Sequence, residues 1–282
     1  PGYPLPESLK ITSILNEALD AAELALIVVP IAGLRETLRA IAARKIKIPI
    51  LWGCKGFESE TTYLPHQVVE AEYSAILPHC GVLSGPSFAE EVAQGLPTAL
   101  TLASKDVDFS SKIAAELHSS RLRIYTSQDV VGVETGGAVK NVITIAAGIS
   151  DGIGFGHNAR AALITRGLME ITRLGLGLGG SMKTFMGLAG VGDLILTSTG
   201  DLSRNRKVGL MLAEGKSLND ILNELGHVAE GVHTAQSVLK LGDRLNIEMP
   251  ITQAVCSILH GGVSARTAVE VLLNNKKKTE IY

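Results

Sequence analysis

The sequence predicts two units of different class: a parallel α/β sheet domain over residues 1–130 and an all-α domain over residues 131–282. Three observations carry this. Short apolar runs alternate with helical patterns up to about Asp129. Long helical patterns alone follow that point. The chain has 282 residues, 46% of them hydrophobic and 19% charged, enough to bury two cores and too apolar for disorder.

Each element has its own signal. Residues 25–29 (Ala-Leu-Ile-Val-Val) form a short apolar run stopped by Pro30, as a buried parallel strand should. A helical pattern continues through Arg44, and residues 49–52 give a second buried strand leading into Gly53-Cys54-Lys55-Gly56. Residues 80–84 supply a third strand, entering Gly85-Pro86-Ser87. A fourth strand is predicted over 98–103, a helix over 109–119 and a fifth strand over 121–125. Strands alternating with helices predict a parallel sheet covered on both faces. Functional groups of such sheets gather at the carboxyl ends of strands, where Lys55, Ser87 and the loop at Pro30 all fall. Beyond the fifth strand, helices are predicted over 131–149, 159–174, 206–214, 218–225, 234–245, 251–259 and 267–273.

Composition removes several function classes. The formal net charge is −2 and the one long basic run is at 276–278, so nucleic-acid binding has no electrostatic footprint. No apolar run reaches the ~18 residues of a spanning helix, so no membrane partner is expected. Cys54, Cys80 and Cys256 lack metal-type spacing and predict free thiols in a reducing cytoplasm. The seven histidines show no paired spacing, and no metal is expected. The opening Pro-Gly-Tyr-Pro-Leu-Pro has neither the charged leader nor the apolar region of a signal peptide, and reads as the middle of a longer chain.

Two stretches carry most of the chemistry. Lys140 lies among Val139, Val142, Ile143 and Ile145. A lysine in apolar surroundings has a depressed pKa and exchanges protons near neutrality; a lysine snorkelling from an amphipathic helix is the open alternative. Gly136 and Gly137 share its helix face and would leave open space beside the amine. Each glycine costs about 1 kcal/mol against alanine in a helix, so the pair indicates close approach by something. Ser203-Arg204-Asn205-Arg206-Lys207 gathers the groups that grip a phosphate at a helix N-terminus. On pattern alone a solvated helix start capped by Ser203 outweighs that reading. Gly85-Pro86-Ser87 is either a ligand loop or a plain turn. Gly190-Val191-Gly192-Asp193 sets one carboxylate in a tight turn, for chemistry or for capping the next helix. Residues 175–180 match G-x-G-x-x-G literally, but they follow a charged helical stretch and read as a helix terminus and loop. A reactive lysine with a phosphate grip points to an enzyme for a small phosphorylated metabolite.

Taken in order, Lys55-Gly56, Gly85-Pro86-Ser87-Phe88-Ala89, Gly137-Ala138-Val139-Lys140-Asn141, Gly190-Val191-Gly192-Asp193 and Ser203-Arg204-Asn205 resemble the bacterial NAD(P)-dependent glycerol-3-phosphate dehydrogenases. The resemblance runs from the first residues to about Glu230 and more loosely to the C-terminus. It implies a Rossmann-type sheet domain and an enzyme interconverting sn-glycerol 3-phosphate and dihydroxyacetone phosphate with NAD or NADP. It also implies supply of phospholipid synthesis and a homodimer. By this resemblance Lys140 is the general acid/base at the substrate C2 oxygen, and Asp193 positions it, with Thr197 nearby. Lys55 lies beside substrate and cofactor, and Gly85 and Ser87 line the substrate site. Ser203, Arg204 and Asn205 hold the phosphate, Arg204 also reaching the cofactor. Ala89, Val228 and Glu230 contact the dinucleotide. Cys54 departs from the family's usual threonine. Family members open with a strand, a glycine-rich turn, a helix and a second strand. The dinucleotide-binding domain of this chain is therefore expected to be N-terminally incomplete, without its pyrophosphate cradle. Two alternatives stay open: a Rossmann and helical lysine-dependent dehydrogenase of a small hydroxy acid or sugar phosphate, and a truncated, non-catalytic remnant.

Overall fold

The apolar runs of the first 130 residues assemble into one five-stranded sheet, in the order β1-β2-β3-β4-β5. The computed structural model describes residues 2–45, 47–74, 79–226 and 229–273. The elements are α1 (Leu15–Leu19), β1 (Ala25–Ile27), α2 (Ile31–Ala42), β2 (Ile50–Trp52), α3 (Pro65–Glu72), β3 (Cys80–Ser84), α4 (Ala89–Ala93), β4 (Thr98–Ala103), α5 (Val107–Leu117) and β5 (Leu122–Ser127). In α2, Leu34, Leu38 and Ile41 recur at helical spacing and are buried. They meet Trp52, Val68, Val69 and Val82 in the core under the sheet.

β1, β2 and β3 run parallel, as do β4 and β5, but β3 and β4 pair antiparallel, Val82 opposite Ala103 and Ser84 opposite Thr101. The expected parallel sheet therefore contains one inverted pair. The connection from Ser84 to Thr98 holds only the five-residue α4. That is too little to carry the chain back along the sheet, which a parallel crossover requires. Lys55 and Ser87 still follow the carboxyl ends of β2 and β3.

The second half comprises α6 (Val130–Ile153), α7 (Gly156–Gly177), α8 (Met182–Phe185), a π-helical turn (Leu188–Gly192), α9 (Asp193–Thr199), α10 (Arg204–Ala213), α11 (Leu218–Leu225), α12 (Glu230–Leu245), α13 (Pro250–His260) and α14 (Ala265–Leu273). Sequence periodicity missed α1, α3, α4, α8 and α9, all short. α6 is the axis, apolar on all sides and therefore enclosed. It is long and apolar enough by composition to cross a membrane, yet 89% of that window is buried within this chain. Asp129 caps it, accepting from Gly132 N–H at 2.8 Å, and also takes Thr184 Oγ1 at 2.6 Å. Val130 and Val133 join the sheet-side core, whereas Val142, Ile145 and Ile149 pack with α10, α12 and α13. One helix thus belongs to both halves.

α10 crosses α6 at two glycines. A Cβ on Gly148 would lie 2.1 Å from the Arg206 carbonyl oxygen, and one on Gly209 2.1 Å from that of Ile145. This crossing brings the start of α10 to the Lys140 end of α6. The glycine-rich stretch at 175–180 is a helix end, as its sequence context predicts: Gly180 N–H donates to the Gly175 carbonyl at 2.8 Å.

Candidate active site

Four side chains from three separate segments converge on one point. α6 supplies Lys140, the loop after β2 supplies Lys55, and α9 supplies Asp193 and Thr197. Lys140 Nζ donates to Asp193 Oδ1 at 2.6 Å and to Thr197 Oγ1 at 2.7 Å. Lys55 Nζ donates to Asp193 Oδ2 at 2.6 Å. Thr197 Oγ1 donates in turn to the Asp193 carbonyl at 2.6 Å, which fixes its lone pair toward the lysine. Lys140 is 6% exposed and Asp193 1%, so the lysine does not snorkel.

The local sequence explains the convergence. Gly190-Val191-Gly192 is a π-helical turn running straight into α9, where a tight turn was expected. It delivers Asp193 as the first residue of α9, with its carboxylate turned to the lysines instead of capping the helix. π-turns of this kind recur at functional sites. The glycine pair in α6 also behaves differently from expectation. A Cβ on Gly136 would lie 2.6 Å from the Ala189 carbonyl oxygen, and one on Gly137 3.0 Å from Ser84 Oγ and 3.6 Å from the Lys55 stem. The close approach is therefore by the protein itself: the glycines admit the π-turn and Lys55, and no open space is left there.

Burial first, and then the Lys55 charge, lower the Lys140 pKa to about 8, against the opposing pull of Asp193. Burial pushes the Asp193 carboxyl up, but Lys55 and Lys140 outweigh it and hold Asp193 below its ordinary value. Glu230, at the start of α12, is raised by burial although Lys55, Lys140 and Arg204 all pull it down. An ammonium has three donors, an amine two donors and a lone pair. With two positions of Lys140 on Asp193 and Thr197, one remains for a reacting oxygen in either protonation state.

The residues of the predicted phosphate grip take different tasks. Ser203 is buried and caps α10, its Oγ accepting from Arg206 N–H at 3.2 Å. Asn205 is buried too; its amide donates to Asn141 Oδ1 at 3.0 Å and accepts from Gly231 N–H at 3.1 Å, tying α6, α10 and α12 together. Asn141 carried no signal of its own in the sequence, though it directly follows Lys140. Arg204, the first residue of α10, is exposed and makes no hydrogen bond or ion pair among the described residues. Gly85 adopts φ +140, and Ser87 Oγ donates back to its carbonyl at 3.3 Å. Pro86 comes 3.8 Å from where a Gly192 Cβ would be, so this turn abuts the residue before Asp193. Ala89 opens α4 and is exposed; it follows Phe88, which packs on Gly200 at the end of α9. Val228 lies outside the described residues.

The three cysteines take no part. Burial pushes the Cys54 thiol far above its ordinary value and those of Cys80 and Cys256 up to about 11, which leaves them protonated and inert.

Comparison with known proteins identifies the family. The profile of the NAD-dependent glycerol-3-phosphate dehydrogenase N-terminus matches residues 1–110, and that of the C-terminus of the same enzymes matches residues 129–270. A glycerol-3-phosphate dehydrogenase [NAD(P)+] of Nitrosospira multiformis is 70% identical over 99% of this chain, which spans 84% of that relative. One of Nitrosomonas eutropha is 61% identical, with 99% and 85% covered. The crystal structure of glycerol-3-phosphate dehydrogenase from Coxiella burnetii superposes with a TM-score of 0.93 at 43% identity, covering 98% of this chain and 84% of that one. With its sheet domain, its helical domain and a buried lysine held by an aspartate between them, this chain belongs to the NAD-dependent glycerol-3-phosphate dehydrogenase family.

Proposed function

We propose that Lys140 exchanges the proton at the C2 oxygen as this NAD(P)-dependent dehydrogenase interconverts glycerol 3-phosphate and dihydroxyacetone phosphate. The observation that carries the reading is the Lys140 amine: buried, brought near neutrality, and held by Asp193 and Thr197 with one position left over. NAD(P) supplies or takes up the hydride at C2. In ketone reduction the Lys140 ammonium donates to the C2 oxygen as negative charge develops there. In alcohol oxidation the neutral amine accepts the hydroxyl proton, which a pKa near the working pH allows in both directions. Lys55, on the far oxygen of Asp193, adds a second positive charge beside the developing oxyanion. Asp193 keeps the two ammoniums together and aims Lys140.

We assign the nicotinamide end of the cofactor to the carboxyl ends of β1 and β2. Val28, just beyond β1, is 70% exposed. It lies 3.9 Å from where a Cβ of Gly53 would be, so the carboxyl ends of β1 and β2 meet two residues before Lys55. Arg204 and Glu230 are the residues we assign to the cofactor side, with Ala89 at the turn after β3. The substrate phosphate is assigned to Arg204 and to the N-terminus of α10, where backbone N–H groups and the helix dipole favour an anion. Ser203 and Asn205 hold that helix start in place, and Gly85 and Ser87 line the wall opposite. Phosphate binding there supplies remote energy that fixes C2 against Lys140. The proposal extends, on family resemblance, to a cytoplasmic homodimer that feeds phospholipid synthesis.

A substrate panel tests the reading. With NADH, dihydroxyacetone phosphate should be reduced far faster than unphosphorylated dihydroxyacetone or a small 2-keto acid. Faster turnover of a keto acid would place the enzyme in another substrate class.

A further inference from the structure

α6 carries another buried acid, six residues before Lys140, that the proton transfer at C2 does not use. Glu134 is 4% exposed and its carboxylate is fully engaged. Oε1 accepts from the Trp52 indole N–H at 2.7 Å and from the His66 backbone N–H at 2.9 Å; Oε2 lies 2.5 Å from His66 Nδ1. Trp52 is the last residue of β2 and His66 the second of α3. Everything between them is the loop that presents Lys55. A single carboxylate on the helix of Lys140 therefore grips both ends of the loop of Lys55. The middle of that loop is anchored separately by Phe57, 2% exposed in the core with Val139 and Ile143.

We propose that Glu134 is a positioning residue for the reaction: by clamping Trp52 and His66 to α6 it sets the separation of the Lys55 and Lys140 ammoniums across Asp193. The inference rests on the reading of Lys140 as the proton donor. Lys140 is faced by Lys55 from the loop, by Asp193 and Thr197 from α9, and by the charge of Glu230 from α12. Of these only Lys55 opposes its protonation. Loosening the loop lets Lys55 retreat, and Lys140 then holds its proton to higher pH. Loss of a Glu134 charge acting through space would do the reverse, since removing an anion favours the neutral amine. The sign of the change separates positioning from simple electrostatics.

The test is the pH dependence of kcat/KM for dihydroxyacetone phosphate reduction, measured for wild type, Glu134→Gln, Trp52→Phe and Lys140→Ala, with circular dichroism to confirm folding. Trp52→Phe removes one N–H and no charge, so it reports even where Glu134→Gln fails to fold. We expect the alkaline limb to move up by about half a pH unit in the folded variants, with kcat reduced more than KM is raised. A limb that stays in place or moves down in the folded variants overturns the inference. A wild-type limb that survives in Lys140→Ala overturns instead the underlying reading of Lys140.

Discussion

Asp193 and Glu170 are equally buried carboxylates of the helical half, each 1% exposed, and they have opposite chemistry. Glu170, on α7, faces the first turn of α13 and accepts from Ile251 N–H at 2.6 Å, Thr252 N–H at 3.2 Å and Thr252 Oγ1 at 3.0 Å. Burial raises its pKa, and these donors only partly oppose that. Asp193 accepts from two ammoniums, and its pKa is lowered. Neither burial nor a full set of hydrogen bonds marks a reactive site. What distinguishes Asp193 is that two cations share one anion, which leaves a surplus positive charge and a lysine near neutrality. Glu170 closes a helix end; Asp193 holds chemistry ready.

The largest effect that can break this contrast is at Lys140. Lys140→Ala should lower turnover by about 10²–10⁴, the range for losing a general acid or base, while the chain stays folded. Stopped-flow or steady-state NADH absorbance measures it. Near-normal turnover would mean that the surplus-charge cluster is structural, like Glu170.

Asp193→Asn comes next, with a loss of roughly a hundredfold and a shift whose sign is fixed. The Asp193 charge raises the Lys140 pKa. Without it, two ammoniums face each other with no anion between, so the Lys140 value falls below about 8. The alkaline limb of ketone reduction should accordingly move to lower pH. Movement upward would show that Asp193 does not support the protonated lysine.

Much of this was legible in the chain. The first three strands follow from apolar runs closed by Pro30, Gly53 and Gly85, and the long helices from their period. The inverted β3–β4 pair was hidden because its cause is the shortness of α4, and helices of four to seven residues carry too little periodicity to register, whereas the eight-residue α11 did. Lys140 and Asp193 stood out as a lysine in apolar surroundings and an acid after glycines. Their meeting was implied only by the family resemblance, because a π-turn is a hydrogen-bond register that residue types do not encode. Glu134 was invisible as a site residue: its partners Trp52 and His66 lie far back in the sequence, and only the folded sheet brings them to α6.

Arg204→Lys tests the open side of the cluster. A guanidinium meets phosphate through two parallel bonds that an ammonium does not reproduce. The KM for dihydroxyacetone phosphate should rise about 10- to 100-fold, the worth of a hydrogen bond to a charged group. Reduction of unphosphorylated dihydroxyacetone should hardly change. Equal losses on both ketones would move the phosphate site away from α10.

The smallest catalytic effect belongs to the other member of the pair. Glu170→Gln keeps the shape of the side chain but replaces one acceptor oxygen with a donor, which meets the N–H groups at the start of α13 head-on. One of the three donors at Ile251 and Thr252 is left without an acceptor in a dry site. That should cost about 1–3 kcal/mol of stability, read as a lower midpoint in urea unfolding with an unchanged slope. Lys140 should not register the change. Its surroundings are Lys55, Asp193, Thr197 and Glu230, none of which touches Glu170. Both kcat and the alkaline limb should therefore stay at wild-type values at a temperature where the variant is folded. A displaced limb would show that the α7–α13 junction is coupled to the lysine after all, and that the two carboxylates are not independent devices.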